Sequence, residues 1–97
     1  MQWMENLRLQ ASSKTQHEVL KRIRIFEKEI QKSSALLSYQ IYRNALIAGD
    51  FSITLLWDTA QVHREGSTLA YNLKRNLSSL GLVDHCIWIE QTTLRKA

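Results

Sequence analysis

Hydrophobic and polar residues alternate along four stretches of the chain, with the period of two that predicts a β-strand with one buried side. The stretches are residues 4–11, 36–44, 51–57 and 82–91. In the first, Glu5 shares the phase of Leu7, and in the last, His85 shares the phase of Val83 and Ile87. We therefore expect four strands, the last of which carries an imidazole on its apolar side.

Two other stretches repeat apolar residues every three or four positions, as an amphipathic helix does. The repeating positions are Val19, Ile23, Phe26 and Ile30 in the first stretch and Leu69, Leu73, Leu77 and Leu80 in the second. Thr15 and Glu18 have the spacing of a capping box and predict the start of the first helix. Gly81 stands where a left-handed residue commonly ends a helix and predicts the end of the second.

The connections contain turn-forming residues. Ala48, Gly49 and Asp50 predict a turn that joins the second and third strands as an antiparallel hairpin. Asp58 is placed to cap a short helical turn that runs through His63.

The order of elements is strand, helix, strand, strand, helix, strand, which is the ferredoxin-like βαββαβ pattern of the α+β class. Because crossover connections are right-handed, both helices are expected on one face of a four-stranded antiparallel sheet. The other face would carry Tyr42, Leu56 and Trp88, a large apolar area for so small a domain. We expect a second copy to cover this face in a homodimeric α+β barrel, since a two-fold axis lets one patch serve both partners.

Length and composition limit the remaining possibilities. A chain of 97 residues and 11.3 kDa is expected to form one domain, residues 1–97, with a core at about 4–91 and a flexible tail at 92–97. One cysteine, Cys86, predicts neither a disulfide scaffold nor a zinc module. No long apolar run or signal-like start occurs, so we expect a soluble, cytoplasmic protein with no membrane partner.

The charge does not point to nucleic acid. The chain has 13 basic and 9 acidic residues, a net charge of +4. Six of the basic residues lie in one segment, residues 14–32, together with three glutamates, as on the water-facing side of a helix. No aromatic residues are interleaved on that side to stack on bases. We therefore expect no nucleic-acid partner.

Residues 37–43, LSYQIYR, and residues 51–59, FSITLLWDT, resemble the antibiotic biosynthesis monooxygenase domain family of the dimeric α+β barrel superfamily. The resemblance extends over about residues 6–90. It implies a homodimeric barrel with a small pocket between sheet and helices in each protomer. Several enzymatic members of the family oxygenate aromatic or quinol-type compounds without a metal or flavin, relatives degrade haem, and many members have no assigned activity.

The resemblance also implies where a pocket would lie. Trp57 matches the family tryptophan that closes the third strand and lines the pocket. The histidine that family sequences often carry nine residues later is Gly66 here, and the sequence leaves open whether His63 replaces it. Haem-degrading relatives place an asparagine on the pocket side of the first strand, whereas Asn6 has the opposite phase to Leu7, which argues against haem breakdown.

Three residues are candidates for catalysis: His85, Tyr39 and Trp57. An imidazole is the side chain that changes charge near neutral pH, so His85 is the candidate acid-base group. Tyr39 would orient a polar substrate atom, and Trp57 would line the pocket. The structural alternatives are a hydrogen-bonded core histidine, a half-buried strand tyrosine and a core indole ring.

Four further residues are candidates for substrate binding: Arg43, His63, Tyr71 and Asn72. Arg43 would hold an anion, or alternatively pair with Asp50 or Asp58 at the rim. The other three lie on the predicted helices, where a solvent-facing role is the alternative. No metal-ligand spacing or phosphate-binding glycine loop is present, so we expect no metal and no cofactor.

Besides haem handling, which the phase of Asn6 argues against, two functions remain open from the sequence. One is cofactor-independent oxygenation of a small aromatic or quinol compound. The other is a non-catalytic dimeric barrel that binds a small ligand or has a structural role.

Overall fold

The structure is a computed structural model that describes residues 1–92 and Leu94. It contains four strands, three α-helices and one 3₁₀ turn. These elements are β1 (Gln2–Ala11), the 3₁₀ turn (Ser13–Thr15), α1 (Gln16–Arg24), α2 (Glu27–Lys32), β2 (Leu36–Arg43), β3 (Asp50–Asp58), α3 (Thr68–Leu77) and β4 (Gly81–Ile89). Most of the predicted tail, residues 92–97, lies outside the described residues.

The four strands form one antiparallel sheet in the order β2-β3-β1-β4. The central strands, β1 and β3, pair along their whole length, with Leu7 opposite Ile53. Leu7 is also opposite His85 on β4, so the predicted phases of β1 and β4 are correct. The α+β, ferredoxin-like fold is therefore confirmed.

The core lies between the sheet and the helices. Every second residue of β1 and β3 packs against the apolar sides of α1, α2 and α3. Apolar side chains recur every two residues in a strand and every three or four in a helix, so each element has one apolar side. The fully or almost fully buried apolar residues are Trp3, Leu7, Leu9, Val19, Ile23, Ile30, Phe51, Ile53, Leu55, Trp57, Leu69, Ala70, Leu73 and Leu77. All the apolar positions predicted for the two helical stretches are buried or packed against this core.

The first helical stretch has Thr15 as its N-cap, as predicted, but without the predicted capping contacts. Thr15 makes no side-chain capping bond; Ser12 caps the 3₁₀ turn instead, where its Oγ accepts a hydrogen bond from the Lys14 amide at 3.2 Å. Glu18 pairs with Arg22 one helical turn along, at 3.2 Å, so its carboxylate is not in a capping box. The predicted capping box is therefore wrong. The stretch is also divided into α1 and α2, which meet at residues 25–26.

The short helix predicted between Asp58 and His63 is absent. Asp58 is the last residue of β3, and its Oδ1 accepts a hydrogen bond from the amino group of Met1 at 3.0 Å. Residues 59–67 form an irregular loop that leads to α3. The carboxylate that the sequence suggests as a cap thus holds the start of β1 against the end of β3.

Gly81 does not end α3 in a left-handed conformation. It opens β4, and the glycines with positive φ among the described residues are Gly49 at +87° and Gly66 at +90°. Gly81 is nevertheless required for space, because a Cβ there would collide with the carbonyl oxygen of Gln10 on β1. The predicted turn at Gly49 is confirmed, since the left-handed residue stands at the end of the hairpin loop.

The edge strand β2 has one irregularity. The register with β3 shifts between Leu36 and Ser38, so Leu37 bulges out and half of it is exposed. After the bulge, Tyr39 is opposite Leu55 and shares the helix-facing side of the sheet.

The opposite side of the sheet, which we call the open face, has no covering layer among the described residues. Its large apolar side chains include Trp88, 57% exposed, Tyr42, 54% exposed, and the half-buried Leu56. The helix-facing side holds the core, so the two sides differ as the alternation predicts. Within the described chain, no helix has the length and apolar character needed to cross a lipid bilayer.

Candidate functional site

A buried acidic residue lies on the helix-facing side of the sheet. Glu5 stands on β1 between Trp3 and Leu7, and its side chain is 0% exposed. Both of its carboxylate oxygens accept a hydrogen bond from the backbone amide of Ser67, at 3.2 and 3.1 Å. Its Oε2 also lies 2.7 Å from Nε2 of His85. Burial of an ionisable group is costly unless it is hydrogen-bonded, and these contacts meet that need.

His85 reaches Glu5 diagonally across the β1–β4 ladder. Glu5 is opposite Ile87 and His85 is opposite Leu7, so the two side chains are one pair apart on the same side. The His85 side chain is 18% exposed, against 0% for Glu5, and its Nδ1 has no hydrogen-bond partner among the described residues. The ring therefore has one nitrogen held inside and one available for a further partner.

The start of α3 completes the cluster. Ser67 is the N-cap, and its Oγ accepts a hydrogen bond from the Ala70 amide at 3.0 Å while its own amide binds Glu5. Gly66 precedes it with φ +90°, and a Cβ at this position would collide with Cε1 of His85 and lie 2.8 Å from Oε2 of Glu5. Only glycine fits between the loop and the pair of side chains.

Two tryptophans lie beside this cluster. Trp57 stacks on Trp3, with ring centroids 5.9 Å apart and 19° between the planes. The Trp3 Nε1 donates to Thr59 Oγ1 at 2.8 Å, whereas Nε1 of Trp57 is buried and has no partner in the described part of the chain. His63 lies in the loop, exposed, with its ring centroid 5.4 Å from that of Trp3.

Tyr39 and Arg43 lie apart from His85. They share the helix-facing side, but they are on edge strand β2, and β4 is the opposite edge. Three strand spacings separate them from His85, about 14 Å. Of the three candidate catalytic residues, Trp57 and His85 thus flank Glu5 and Trp3, while Tyr39 does not join them.

The two candidates on α3 are also separate from the cluster. Tyr71 is 60% exposed, and the guanidinium of Arg75 lies 5.9 Å from its ring centroid. Asn72 is half-buried and lines a groove between the helices with Phe26, Arg75 and Asn76.

A second charged group connects the strands on the open face. The Arg8 guanidinium donates two hydrogen bonds to Asp50, at 3.1 and 2.9 Å, and Asn44 Nδ2 donates a third at 3.0 Å. The hydrogen bond from Arg8 holds the pKa of Asp50 below its ordinary value, and the same bond raises the pKa of Arg8. Arg43 borders this cleft but makes no ion pair with any described residue, so Arg8 is the partner of Asp50.

Five clefts of the described surface have volumes of about 190 to 410 Å³. None of these five is lined by His85, Glu5 or Trp57. Across residues 1–92 and Leu94, no group of three or more His, Cys, Asp or Glu side chains could hold a metal ion. Asn6 lies on the open face, where its Nδ2 donates to Ser52 Oγ at 2.6 Å.

Sequence reasoning missed Glu5, Gly66 and Ser67 as members of the site. The signal for Glu5 was present, because an acidic residue in phase with Leu7 must find a partner inside. Nothing in the sequence connects Gly66 and Ser67 with residues more than 60 positions earlier on β1. Only the packing of the α3 start against the sheet brings them together.

Solved structures share this fold at low sequence identity. Rv0793 from Mycobacterium tuberculosis has a TM-score of 0.73 at 12% identity, covering 98% of this chain and 100% of that one. A candidate antibiotic biosynthesis monooxygenase from Deinococcus radiodurans has a TM-score of 0.70 at 15% identity, with 98% of both chains covered. SnoaB from Streptomyces nogalater, a cofactor-independent oxygenase, has a TM-score of 0.68 at 12% identity, with 98% of both chains covered.

The sequence itself matches no protein-family description, and none of the curated proteins is similar to it in sequence. The resemblance to antibiotic biosynthesis monooxygenases that residues 37–43 and 51–59 suggest is thus confirmed at the level of the fold.

Proposed function

We propose that this protein belongs to the antibiotic biosynthesis monooxygenase family and oxygenates a small aromatic or quinol compound without a cofactor, as a homodimer. The shared fold supports the family, and the name of SnoaB supports the class of reaction. His85 is the proposed acid-base residue. Trp57 is proposed to line the site with it.

The observation that carries this proposal is the state of the His85 ring. One nitrogen is bound to a buried carboxylate, the other has no partner in the described chain, and 18% of the side chain is exposed. An imidazole held in this way can accept a proton from a phenolic hydroxyl that reaches its free nitrogen. The resulting anion is electron-rich and able to react with oxygen.

The reaction balances without a further reductant. When a ring C–H of a hydroquinone becomes C–OH and the ring is oxidised to the quinone, the substrate gives up four electrons, and O₂ accepts four. One oxygen atom stays on the carbon and the other leaves as water. The protein then has to supply only a proton acceptor and a binding surface.

Trp57 supports a binding role because its indole N–H is buried without a partner. Buried donors are nearly always paired, and we assign this unpaired one to a ligand oxygen. Tyr39 and Arg43 would reach only a ligand that extends to β2, and His63, Tyr71 and Asn72 stay proposed contacts on the loop and on α3.

Oxygen consumption tests the proposal. Metal-free protein is mixed with a panel of hydroquinones and hydroxylated anthracene-type compounds, and uptake is followed with an oxygen electrode. We expect turnover that falls about 100-fold or more in His85→Gln, the usual size of an acid-base contribution. Asp84→Asn is the control, since Asp84 is the exposed neighbour of His85 on the open face. Equal rates in wild type and His85→Gln would contradict the assignment.

A second candidate is a dimeric barrel that binds a ligand without reaction. The five clefts that do not border His85 favour it, because a substrate would have to displace the loop around Gly66 to reach the ring fully. In that case hydroquinones would quench the fluorescence of the stacked tryptophans with no consumption of oxygen.

A further inference from the structure

We propose that Glu5 is a positioning residue that fixes the tautomer of His85, so that Nε2 carries the proton and Nδ1 is the atom that accepts one from substrate. The assignment of the tautomer rests on the hydrogen bonds of Glu5 as an ionised carboxylate. The use of the tautomer in catalysis rests on the function proposed above.

The first step concerns what Glu5 can do. The Ser67 amide can only donate, and it lies 3.2 and 3.1 Å from the two carboxylate oxygens. Ser67 is also the N-cap of α3, a helix of 10 residues whose amino end favours a negative charge. The Ser67 amide and the amino end of α3 therefore both favour Glu5 as a hydrogen-bond acceptor.

The second step concerns the 2.7 Å contact between Glu5 Oε2 and His85 Nε2. Since Glu5 accepts, Nε2 has to donate and therefore carries hydrogen. In the neutral ring the other nitrogen, Nδ1, then presents a lone pair. A histidine without such a partner would divide its population between two tautomers, and only part of it would offer Nδ1 as a base.

The third step is that the surroundings give His85 no competing partner. Its ladder neighbour on β1 is Leu7, and the charged residues beside it on the sheet, Arg8 and Asp84, lie opposite each other on the open face. From α3 the buried residues are Leu69, Ala70, Leu73 and Leu77, and the loop presents Gly66. Glu5 is thus the one titratable group among the described residues that is bonded to the ring.

The space around the pair also holds the ring in place. Gly66 contacts the His85 ring so closely that no side chain fits there, and its φ of +90° suits glycine. Glu5 comes from β1, His85 from β4 and Ser67 from α3, so three elements would have to move for the ring to turn over.

Nitrogen NMR of histidine-labelled protein tests the tautomer directly. The chain has three histidines, and His85→Gln identifies the resonances of His85. At a pH above the titration seen in the same spectra, we expect one signal pattern, with Nε2 protonated and Nδ1 not. In Glu5→Gln the amide offers the ring both a donor and an acceptor, so a mixture of the two tautomers is expected. Asp84→Asn removes the same charge on the open face and should leave the wild-type pattern.

Two results would overturn the inference: a protonated Nδ1 in the wild type, or the wild-type pattern retained in Glu5→Gln. If Glu5→Gln does not fold, as judged by circular dichroism, Glu5→Asp replaces it. The shorter side chain keeps the charge and cannot span both Ser67 and His85, so the single pattern should again be lost.

The activity measurement separates this inference from the proposed function. If the protein turns over a hydroquinone, Glu5→Gln should lower kcat about 10- to 100-fold and change KM by less than about twofold, because the base and not the binding surface is affected. If no compound is turned over but the spectra behave as expected, the proposed function fails and the positioning of His85 by Glu5 stands.

Discussion

At the scale of single residues, the two stacked tryptophans show how similar side chains in one core can have different roles. Trp3 and Trp57 are both more than nine-tenths buried and lie face to face. The indole N–H of Trp3 is bonded to Thr59, and that of Trp57 has no partner among the described residues. The difference makes Trp3 a structural residue and leaves an unpaired donor at Trp57, which the proposed function assigns to a ligand.

Replacement of each tryptophan by phenylalanine should reveal this difference. Both changes remove similar ring volume, but Trp3→Phe also loses a hydrogen bond, whereas Trp57→Phe removes an unpaired donor. We expect Trp3→Phe to lower the free energy of unfolding by about 1 kcal/mol more than Trp57→Phe. Urea denaturation of the two variants measures it, and a larger loss in Trp57→Phe would show that its N–H is in fact satisfied.

At the scale of elements, Arg8, Asp50 and Asn44 connect β1, β3 and the hairpin loop. Asp50 accepts from both partners, and Asn44 Oδ1 in turn accepts from the amides of Leu46 and Ile47, at 2.9 and 3.1 Å. The conformation of the loop therefore depends on the carboxylate of Asp50, which is also bonded to Arg8 on β1.

This connection predicts a dependence of stability on pH. Because the hydrogen bond from Arg8 lowers the pKa of Asp50, the unfolded chain binds the proton at a higher pH than the folded one. The stabilisation that the bond between Arg8 and Asp50 provides is complete above the ordinary aspartate pKa, about 3.9. It is lost as the pH falls through the lower pKa of Asp50 in the folded protein. We expect Asp50→Asn to reduce the slope of the urea midpoint against pH in the acid range. Urea denaturation at a series of pH values measures it.

Glu65→Gln serves as the reference for that series, since Glu65 is an exposed carboxylate that forms no ion pair with a described residue. If its slope were reduced as much as that of Asp50→Asn, a general charge effect rather than the bond from Arg8 would account for the dependence.

At the scale of the whole molecule, the two sides of the sheet are unequal. Three helices cover one side, and the described residues provide no cover for the other, where Trp88 and Tyr42 are more than half exposed. Apolar area of this kind is commonly an interface. This asymmetry is the reason for including a homodimer in the proposed function.

Analytical ultracentrifugation at micromolar concentration tests the dimer. We expect wild-type protein to sediment as a dimer and Trp88→Glu as a folded monomer, since a charge in a buried interface lacks a partner. Ile25→Glu is the matched control, because Ile25 is 70% exposed but lies between α1 and α2, away from the open face. A folded wild-type monomer would remove the homodimer from the proposal.

Periodicity alone identified the strands, the apolar sides of the helices and the fold, because alternation and the three-to-four repeat are properties of each element by itself. Local signals were less reliable where another residue, near or far along the chain, offered a better partner. Asp58 binds the amino end of the chain instead of capping a helix, and Glu18 pairs with Arg22 instead of closing a capping box.

His85 was identifiable from the sequence because its apolar phase made an imidazole stand out. The pairing of His85 with Glu5 was not identifiable, since Glu5 lies 80 positions away and the Ser67 amide carries no side-chain signal at all. The sequence thus determined which faces are buried, through patterns that each segment carries alone. The tertiary structure decided which polar groups meet on those faces, because hydrogen bonds between distant segments depend on register and on the placement of one helix end.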